Sequence, residues 1–372
     1  MFKFRKPVPS NAVGVGVFGY LKTLNGVGQA GRLIVQALNS VGYPLVEFDV
    51  GNPNEIPKIS NLKAAKFEFN KVILSVDAHS IRSITTAIGK KFLHGKYVIA
   101  QWFWELEEVP DYYQEAFEVI NELWVPTAYM ESAFTAVAPS KVNIRHMPLP
   151  LVGPKRSSSL GRSHFGIGQE FMFLFIFDFL SVMKRKNPIG LVEAFSAAFS
   201  ENEGPILVIK TINGDKRIAE MAQLKSACMN RKDIVILEQE FNKSEIDSLI
   251  SISDSYVSMH RAEGLGLTLA EAMSAGKPVI ATNYSGNLDF MNSKNSILVP
   301  WQRTEVGLGA EGYSPTATWA EPDLNACASA MREFWSNSSL ARALGLRAQA
   351  SLELDFSYVA TGKRMAQRLQ QI

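Results

Sequence analysis

Short apolar, β-branched or aromatic runs alternate with amphipathic helical patterns along almost the whole chain. That alternation predicts parallel sheets whose strands are joined by helical crossovers, and nothing in it reads as a hairpin meander. Strands are expected over 12–20, 44–50, 71–77, 97–103, 122–127 and 141–147, with helices in most of the gaps. A second series runs over 171–179, 205–211, 233–239, 254–260, 277–283 and 296–300. Between the two lies "PLPLVGPKRSSSLGRSHFGIG" (148–168), rich in Pro, Gly and Ser, which is the expected linker. The tail from Pro322 to Gln371 has a helical pattern, whereas "QRTEVGLGAEGYSPTATWAEPD" (302–323) shows no period. A structureless run of about 20 residues in a compact domain is more often functional than neutral.

The 372 residues exceed what one hydrophobic core usually organises, so two doubly wound α/β domains in tandem, facing a central cleft, are expected. The boundaries are placed at 1–155 for an N-terminal Rossmann-like domain and 165–355 for a C-terminal one. Residues 356–372 form a last helix expected to pack back on the first domain. Apolar residues make up 47% and charged residues 20%, the profile of a well-packed globular chain. A net charge of +2 is too small to imply a nucleic-acid binder, and no basic stripe is interleaved with aromatics, so no nucleic acid is expected as a partner. Lys3, Arg5 and Lys6 form a basic start that reads as a solvated tail and leaves a weak contact with an anionic membrane surface open. No apolar segment follows in signal-peptide style, and no run reaches the roughly 18 apolar residues of a membrane span. Only Cys228 and Cys327 are present, which supports neither a disulfide framework nor a zinc site and makes the cytoplasm the expected compartment.

The chemistry concentrates in "HRAEGLGLTLAEAM" (260–273). In open α/β sheets ligands sit at the carboxyl ends of strands, where loops run into helix N-termini. Here a strand is followed by a loop carrying His260, Arg261 and Glu263, then by a helix expected from about Leu265 to Gly276. Gly264 and Gly266 allow a ligand close to the backbone, and first-turn N–H groups attract anions. Glu263 and Glu271 are eight residues apart, roughly 12 Å along a helix at about 1.5 Å per residue. Two carboxylates attacking one glycosidic bond need to be within about 5 to 10 Å, so this pair suits a long ligand gripped at both ends. A nucleotide-sugar is such a ligand. The competing reading of Glu271 alone is an ordinary helix-surface acid.

The stretch "SMHRAEGLGLTLAEAMSAGKPVIATNYSGNLDFM" resembles the E-x7-E signature of the retaining glycosyltransferases of family 4, which have the GT-B fold. The resemblance implies that Glu263 contacts the transferred sugar near the reaction centre and that Glu271 binds the nucleotide ribose. Gly264, Leu265 and Gly266 would offer backbone contacts to phosphate and sugar, with His260 and Arg261 beside them on the donor. The family also neutralises the leaving diphosphate with a basic pair early in the second domain. "FDFLSVMKRKNPIGLVEAF" supplies Lys184, Arg185 and Lys186; Lys186 matches the family lysine when "LVEAF" is the anchor. The family arginine has no counterpart, since its position is Ser181, and Arg185 is the substitute. A solvated K-R-K turn is the alternative. Lys210, ending the next strand, either faces the nucleotide or is a plain strand-end lysine. With no D-x-D in the chain, no metal or other cofactor is expected, and the fixed cations would stabilise the departing diphosphate instead.

In the first half, "GYLKTLNGVGQAGRLIVQAL" (19–38) carries a G-x-G too far from its strand for the tight dinucleotide fingerprint, which disfavours an NAD-dependent oxidoreductase. Asn25, Gly26, Val27 and Gly28 are taken as donor-side contacts, and Arg32 as a weaker one. His79 follows the third strand and is counted with Glu263, Lys186 and Arg185 among the catalytic candidates, a buried or incidental histidine being equally open. "QWFWELEEVPDYY" (101–113) resembles W-x-W-E-L stretches in relatives acting on polysaccharides, so Trp104 and Glu105 are acceptor-side candidates, with Trp102 in the core.

The expected activity is transfer of a hexose or deoxyhexose, with retention, from a nucleoside diphosphate sugar to a glycan or lipid-linked acceptor. The rivals are a non-catalytic sugar-nucleotide-binding subunit and a GT-B sugar-nucleotide epimerase, the latter needing an acid/base pair on the donor. On the sequence alone, Glu263→Ala should abolish transfer and leave thermal stability nearly unchanged.

Overall fold

A computed structural model describes residues 13–23, 25–53, 55, 57, 59, 69–153 and 160–372. Lys3, Arg5, Lys6 and the centre of the expected linker lie outside these residues. The chain divides into two compact units, 1–150 with 355–372, and 151–354.

The first unit is built from β1 (Val15–Gly19), α1 (Gly26–Ser40), β2 (Leu45–Asp49), β3 (Lys71–Ser75), α2 (Ile81–Ile88), α3 (Lys90–Leu93), β4 (Tyr97–Gln101), α4 (Tyr112–Phe117), β5 (Glu122–Val125), α5 (Ala128–Val137) and β6 (Asn143–His146). All its strands pair in parallel, in the order β2-β1-β3-β4-β5-β6. Parallel strands covered by helices on both faces are buried on both sides, which is why β1 and β3 read as unbroken apolar runs rather than alternating ones.

The second unit comprises β7 (Met172–Asp178), α6 (Met183–Lys186), α7 (Pro188–Ala198), β8 (Ile206–Ile212), α8 (Ile218–Ala227), β9 (Ile234–Leu237), α9 (Lys243–Ile252), β10 (Ser255–Ser258), α10 (Leu267–Ser274), β11 (Val279–Thr282), β12 (Ile297–Val299), β13 (Trp301–Glu305), β14 (Thr318–Pro322), α11 (Leu324–Ser336) and α12 (Ser338–Asp355). Its main sheet is parallel, in the order β12-β11-β10-β7-β8-β9. The chain winds outward through β8 and β9, then returns to lay β10 against the other side of β7. Strands β7 and β10 therefore flank the point where strand order reverses, the place where doubly wound sheets open a crevice.

Three details differ from the sequence expectation. The segment 302–323 is not structureless throughout: β13 and β14 form an antiparallel hairpin, with Trp301 opposite Pro322 and Glu305 opposite Thr318, around an irregular connection over 306–317. Helix α10 begins at Leu267 rather than near Leu265, because Gly266 at φ 87° takes the left-handed conformation that ends the loop. The ends of the expected linker are packed: Leu149 and Leu151 are buried, and Arg162 donates to Asp254 and to the Ile252 carbonyl.

The last helix, α13 (Tyr358–Gln371), belongs to the first unit, where it packs along α1. Gly362 permits this: a Cβ there would stand 2.1 Å from the carbonyl oxygen of Ala37. Arg368 of α13 pairs with Glu122, which is fully buried and also accepts from Tyr97 and Trp124. Among the described residues no helix is long and apolar enough to cross a membrane.

Candidate active site

The carboxyl ends of β7 and β10 bring the two chemical segments together. After β7 the chain makes a turn carrying Lys184, Arg185 and Lys186, bounded by two non-glycine residues at positive φ, Val182 (62°) and Asn187 (55°). Asn187 tolerates this conformation and caps α7 by accepting from the Gly190 N–H. Val182, β-branched, does not; such a residue costs about 1–3 kcal/mol and persists only where its surroundings hold it.

After β10 the loop places Glu263 against that turn. Its carboxylate accepts from the Lys186 ammonium and lies 3.3 Å from Nη1 of Arg185, with only 10% of the side chain exposed. Burial pushes the carboxyl up, but the charges of Lys186 and Arg185 outweigh it and hold Glu263 down at about 2. Arg185 is fixed in turn by the carbonyls of Ala262 and Ser181, at 2.9 and 3.0 Å. One carboxylate against two cations leaves a net positive cluster in a dry site. The stability expectation for Glu263→Ala is thereby corrected, since removing the acid strands two cations in a poorly solvated place.

His260 is fully buried rather than open to a ligand. Its ring meets Ser258 Oγ at 3.1 Å and Asn287 Oδ1 at 3.2 Å, and burial pulls it down to about 4, so it is neutral. It supports the loop from behind. Arg261 points away from Glu263: its guanidinium grips both carboxylate oxygens of Glu321 at 2.7 and 2.9 Å and donates to the Lys184 carbonyl at 2.6 Å. Gly264 and Gly266 lie in the loop with buried Leu265 between them. Gly286 presses on that loop, and a Cβ there would stand 1.9 Å from the Gly264 carbonyl oxygen.

Glu271, inside α10, stays partly exposed and accepts from Lys243 of α9 at 2.8 Å. Lys210 is buried near the end of β8, donates to the Thr211 carbonyl, lies 4.8 Å from the Phe241 ring centre, and is pulled down to about 8 by burial.

In the first unit, β1 and β3 flank the corresponding reversal of strand order. Asn25 caps α1 by accepting from the Gly28 N–H at 2.7 Å, and Gly26, Val27 and Gly28 form the first turn. Arg32 ties the preceding loop down through the carbonyls of Leu21 and Thr23. His79, after β3, is exposed and stacks on Tyr112 with ring centres 3.8 Å apart. Trp104 is buried, with its ring against Tyr113 and its indole donating to the Glu108 carbonyl. Glu105 beside it is half-buried, and Trp102 is in the core.

Sequence reasoning missed Ser285, whose hydroxyl accepts the Glu263 N–H at 2.8 Å, and Asn287, Lys243, Trp319 and Glu321. Ser285 sits at φ 75°, and "YSGN" gave a turn signal without saying which loop it would meet. Among the described residues no group of three or more His, Cys, Asp or Glu could hold a metal ion.

The architecture is that of the GT-B glycosyltransferases. Residues 172–302, from β7 into β13, match the family described as Glycosyl transferases group 1. In structure the chain is similar to the sucrose-phosphate synthase of Thermosynechococcus elongatus, at 15% identity and TM-score 0.68 over 99% of each chain. It is also similar to Anabaena HepE in complex with UDP and glucose, at 14% identity and TM-score 0.66 over 97% of this chain and 100% of that one. A glycosyltransferase of Rickettsia africae ESF-5 gives 14% identity and TM-score 0.69 over 97% and 98%. No curated protein is matched by sequence.

Proposed function

We propose that the protein is a retaining glycosyltransferase of family 4 type that moves a hexose or deoxyhexose from a nucleoside diphosphate sugar to a glycan or lipid-linked acceptor. The observation that carries this reading is the buried Glu263–Lys186–Arg185 cluster at the strand-order reversal of the second sheet. A departing diphosphate gathers negative charge on oxygen, and cations already fixed in a dry site stabilise it with no reorganisation at the moment of reaction. In the resting protein Glu263 occupies those cations. When the donor's phosphates take its place against Lys186 and Arg185, the carboxylate is released to meet the sugar hydroxyls. The first-turn N–H groups of α10, which has no side-chain cap, supply further donors to phosphate.

Glu271, on the exposed side of α10, takes the ribose, and its link to Lys243 keeps it oriented until a hydroxyl pair replaces that ammonium. Lys210, with Phe241 beneath it, stands on the nucleotide side of the sheet's edge. HepE, of like fold, was solved with UDP and glucose, which makes a uridine nucleotide the first donor to try. In the first unit, Asn25–Gly28 and His79 are assigned to the donor sugar and Glu105 to the acceptor. The positive turn does the work a divalent cation does elsewhere, so no metal enters the scheme.

The test is turnover of a panel of UDP-, GDP-, dTDP- and ADP-sugars in EDTA, with Glu263→Gln beside the wild type. Transfer or slow hydrolysis of one donor by the wild type and its loss in the variant are expected. Undiminished activity in Glu263→Gln, or none in the wild type with any donor, would sink the assignment.

A further inference from the structure

The hairpin β13–β14 lies outside the main sheet, yet it is tied to the basic turn and to the loop that carries Glu263, besides a pair between Glu311 of its connection and Arg217. Lys184 donates to the carbonyls of Val306 and Leu308 at 2.7 and 3.0 Å. Arg261 holds Glu321 of β14 with both ends of its fork, while its Nη1 takes the Lys184 carbonyl and its backbone N–H takes the Arg185 carbonyl at 2.7 Å. The Ala320 N–H returns to the Arg261 carbonyl at 3.0 Å. Trp319, almost fully buried, has both cations close to its ring, 5.9 Å from Lys184 Nζ and 5.7 Å from Arg261 Cζ to its ring centre. Such bidentate and cation–ring contacts fix orientation as well as distance.

Packing alone does not fix the turn on this side. A cavity of 580 Å³ lies beside it, lined by Met183, Lys184, Asn187, Arg261, Leu308 and Glu321 among others. The turn also begins at Val182, in a conformation a valine leaves unless it is held. Directional contacts from the hairpin add to the turn's own backbone hydrogen bonds and to the carbonyls that fix Arg185.

We propose that the hairpin is a brace for the catalytic turn: Glu321 through Arg261, and the Val306 and Leu308 carbonyls through Lys184, set Arg185 and Lys186 in place against Glu263. Glu321 and Arg261 are thus positioning residues that touch no substrate. This assigns Arg261 a part other than the donor contact its place beside Glu263 suggested. For its kinetic consequence the proposal rests on the glycosyltransfer reading above.

The test uses Glu321→Ala, a half-exposed position that the core does not depend on, in the full chain. Because a small misplacement of catalytic groups is costly, kcat should fall about tenfold to a hundredfold while the donor KM moves less than about threefold. The acidic limb of the kcat profile should move to higher pH as the cations retreat from Glu263. Independently of activity, urea unfolding of the ligand-free protein is compared for Glu321→Ala, Glu263→Gln and the double variant. If the brace acts through the cluster, the double variant loses less than the two single losses combined, whereas unconnected contributions add. Wild-type kcat in Glu321→Ala, or additive unfolding losses, would overturn the brace. Should the wild type turn over no sugar nucleotide, the functional reading fails, and the unfolding comparison alone decides the brace.

Discussion

Glu263 gives the most quantitative consequence of the site. Its carboxyl stands at about 2 in the folded protein against an ordinary value of 4.5, held there by Lys186 and Arg185 in spite of burial. A lowered folded value means that the unfolded chain binds the proton first, so the stabilisation is complete above pH 4.5 and disappears as pH falls towards 2. At about 1.36 kcal/mol per pH unit, the full difference is worth about 3 kcal/mol at pH 6. At pH 3 the folded carboxylate is still ionised while the unfolded one is mostly protonated, and about 2 kcal/mol of that stabilisation has gone. Glu263→Gln has no such titration. In urea unfolding of the ligand-free chain at a series of pH values, the wild type should exceed the variant by about 3 kcal/mol at pH 6 and by about 1 kcal/mol at pH 3. Reading the difference between the two proteins cancels the other carboxylates, which titrate in both. A gap that stays constant from pH 6 to pH 3 would show that Lys186 and Arg185 do not hold this acid, and the electrostatic argument for the site would fall with it.

Four further outcomes follow from single contacts. His260, lowered to about 4 by burial, should show no ring protonation by NMR down to about pH 5, and an apparent value above 6 would contradict its place behind the loop. Glu271→Ala breaks only a link to a largely exposed lysine, so thermal stability should change by less than about 1 kcal/mol. Its loss of a hydrogen bond from a ribose hydroxyl to a charged acceptor should nevertheless weaken UDP binding in calorimetry by about 1.5–3 kcal/mol, and wild-type affinity would remove Glu271 from the donor site. Gly286→Ala drives a methyl into the Gly264 carbonyl, an unyielding backbone atom, and should cost about 1–3 kcal/mol in thermal unfolding together with donor binding; an unchanged melting temperature would refute the contact. Arg368→Ala leaves Glu122 buried without its cation, and a loss of about 3 kcal/mol or more is expected, with a loss under about 1 kcal/mol meaning that Tyr97 and Trp124 suffice.

The parallel sheets were legible because their strands are buried on both faces. "FMFLFIFDF" and "KVILSVD" carry no alternation to confuse with a half-exposed strand, and helical patterns separate them. The glutamates were legible for a related reason: strand, glycine-bearing loop and helix follow one another in a few residues, so the sequence itself sets Glu263 at the loop and Glu271 inside the helix. What could not be read was partnership. Lys186 and Glu263 are 77 residues apart and meet because β10 returns to β7 instead of extending the sheet beyond β9. Two windings of the same strands would have left the same motifs and no cluster. Arg261 and His260 show the finer limit, since they flank Glu263 in sequence and yet one turns to Glu321 and the other into the core.

The hairpin was invisible for the opposite reason to the sheets. β13 is mostly solvent-facing, with only Trp301 and Thr304 partly covered, so neither a continuous apolar run nor a clean alternation marks it. Its partner strand opens at Thr318, after a segment with Gly307, Gly309 and Gly312 at positive φ, which breaks any local period. Two-stranded hairpins are marginal by themselves in water. This one is held by Lys184 and Arg261, residues that lie 122 and 60 positions away from their partners Val306 and Glu321, and by Arg217, which grips Glu311 of its connection. Dependence runs both ways: the same ties that order the hairpin restrain a turn that begins on a strained valine. A segment that looks featureless in sequence and is tied to the basic turn and the Glu263 loop owes part of its structure to contacts far away in the chain rather than to its own pattern. That coupling predicts the order of loss under mild denaturation. Hydrogen exchange of the Thr304 and Val306 amides should quicken in Glu321→Ala while β7 and β10 stay protected, and equal protection in variant and wild type would mean that the hairpin stands without the site.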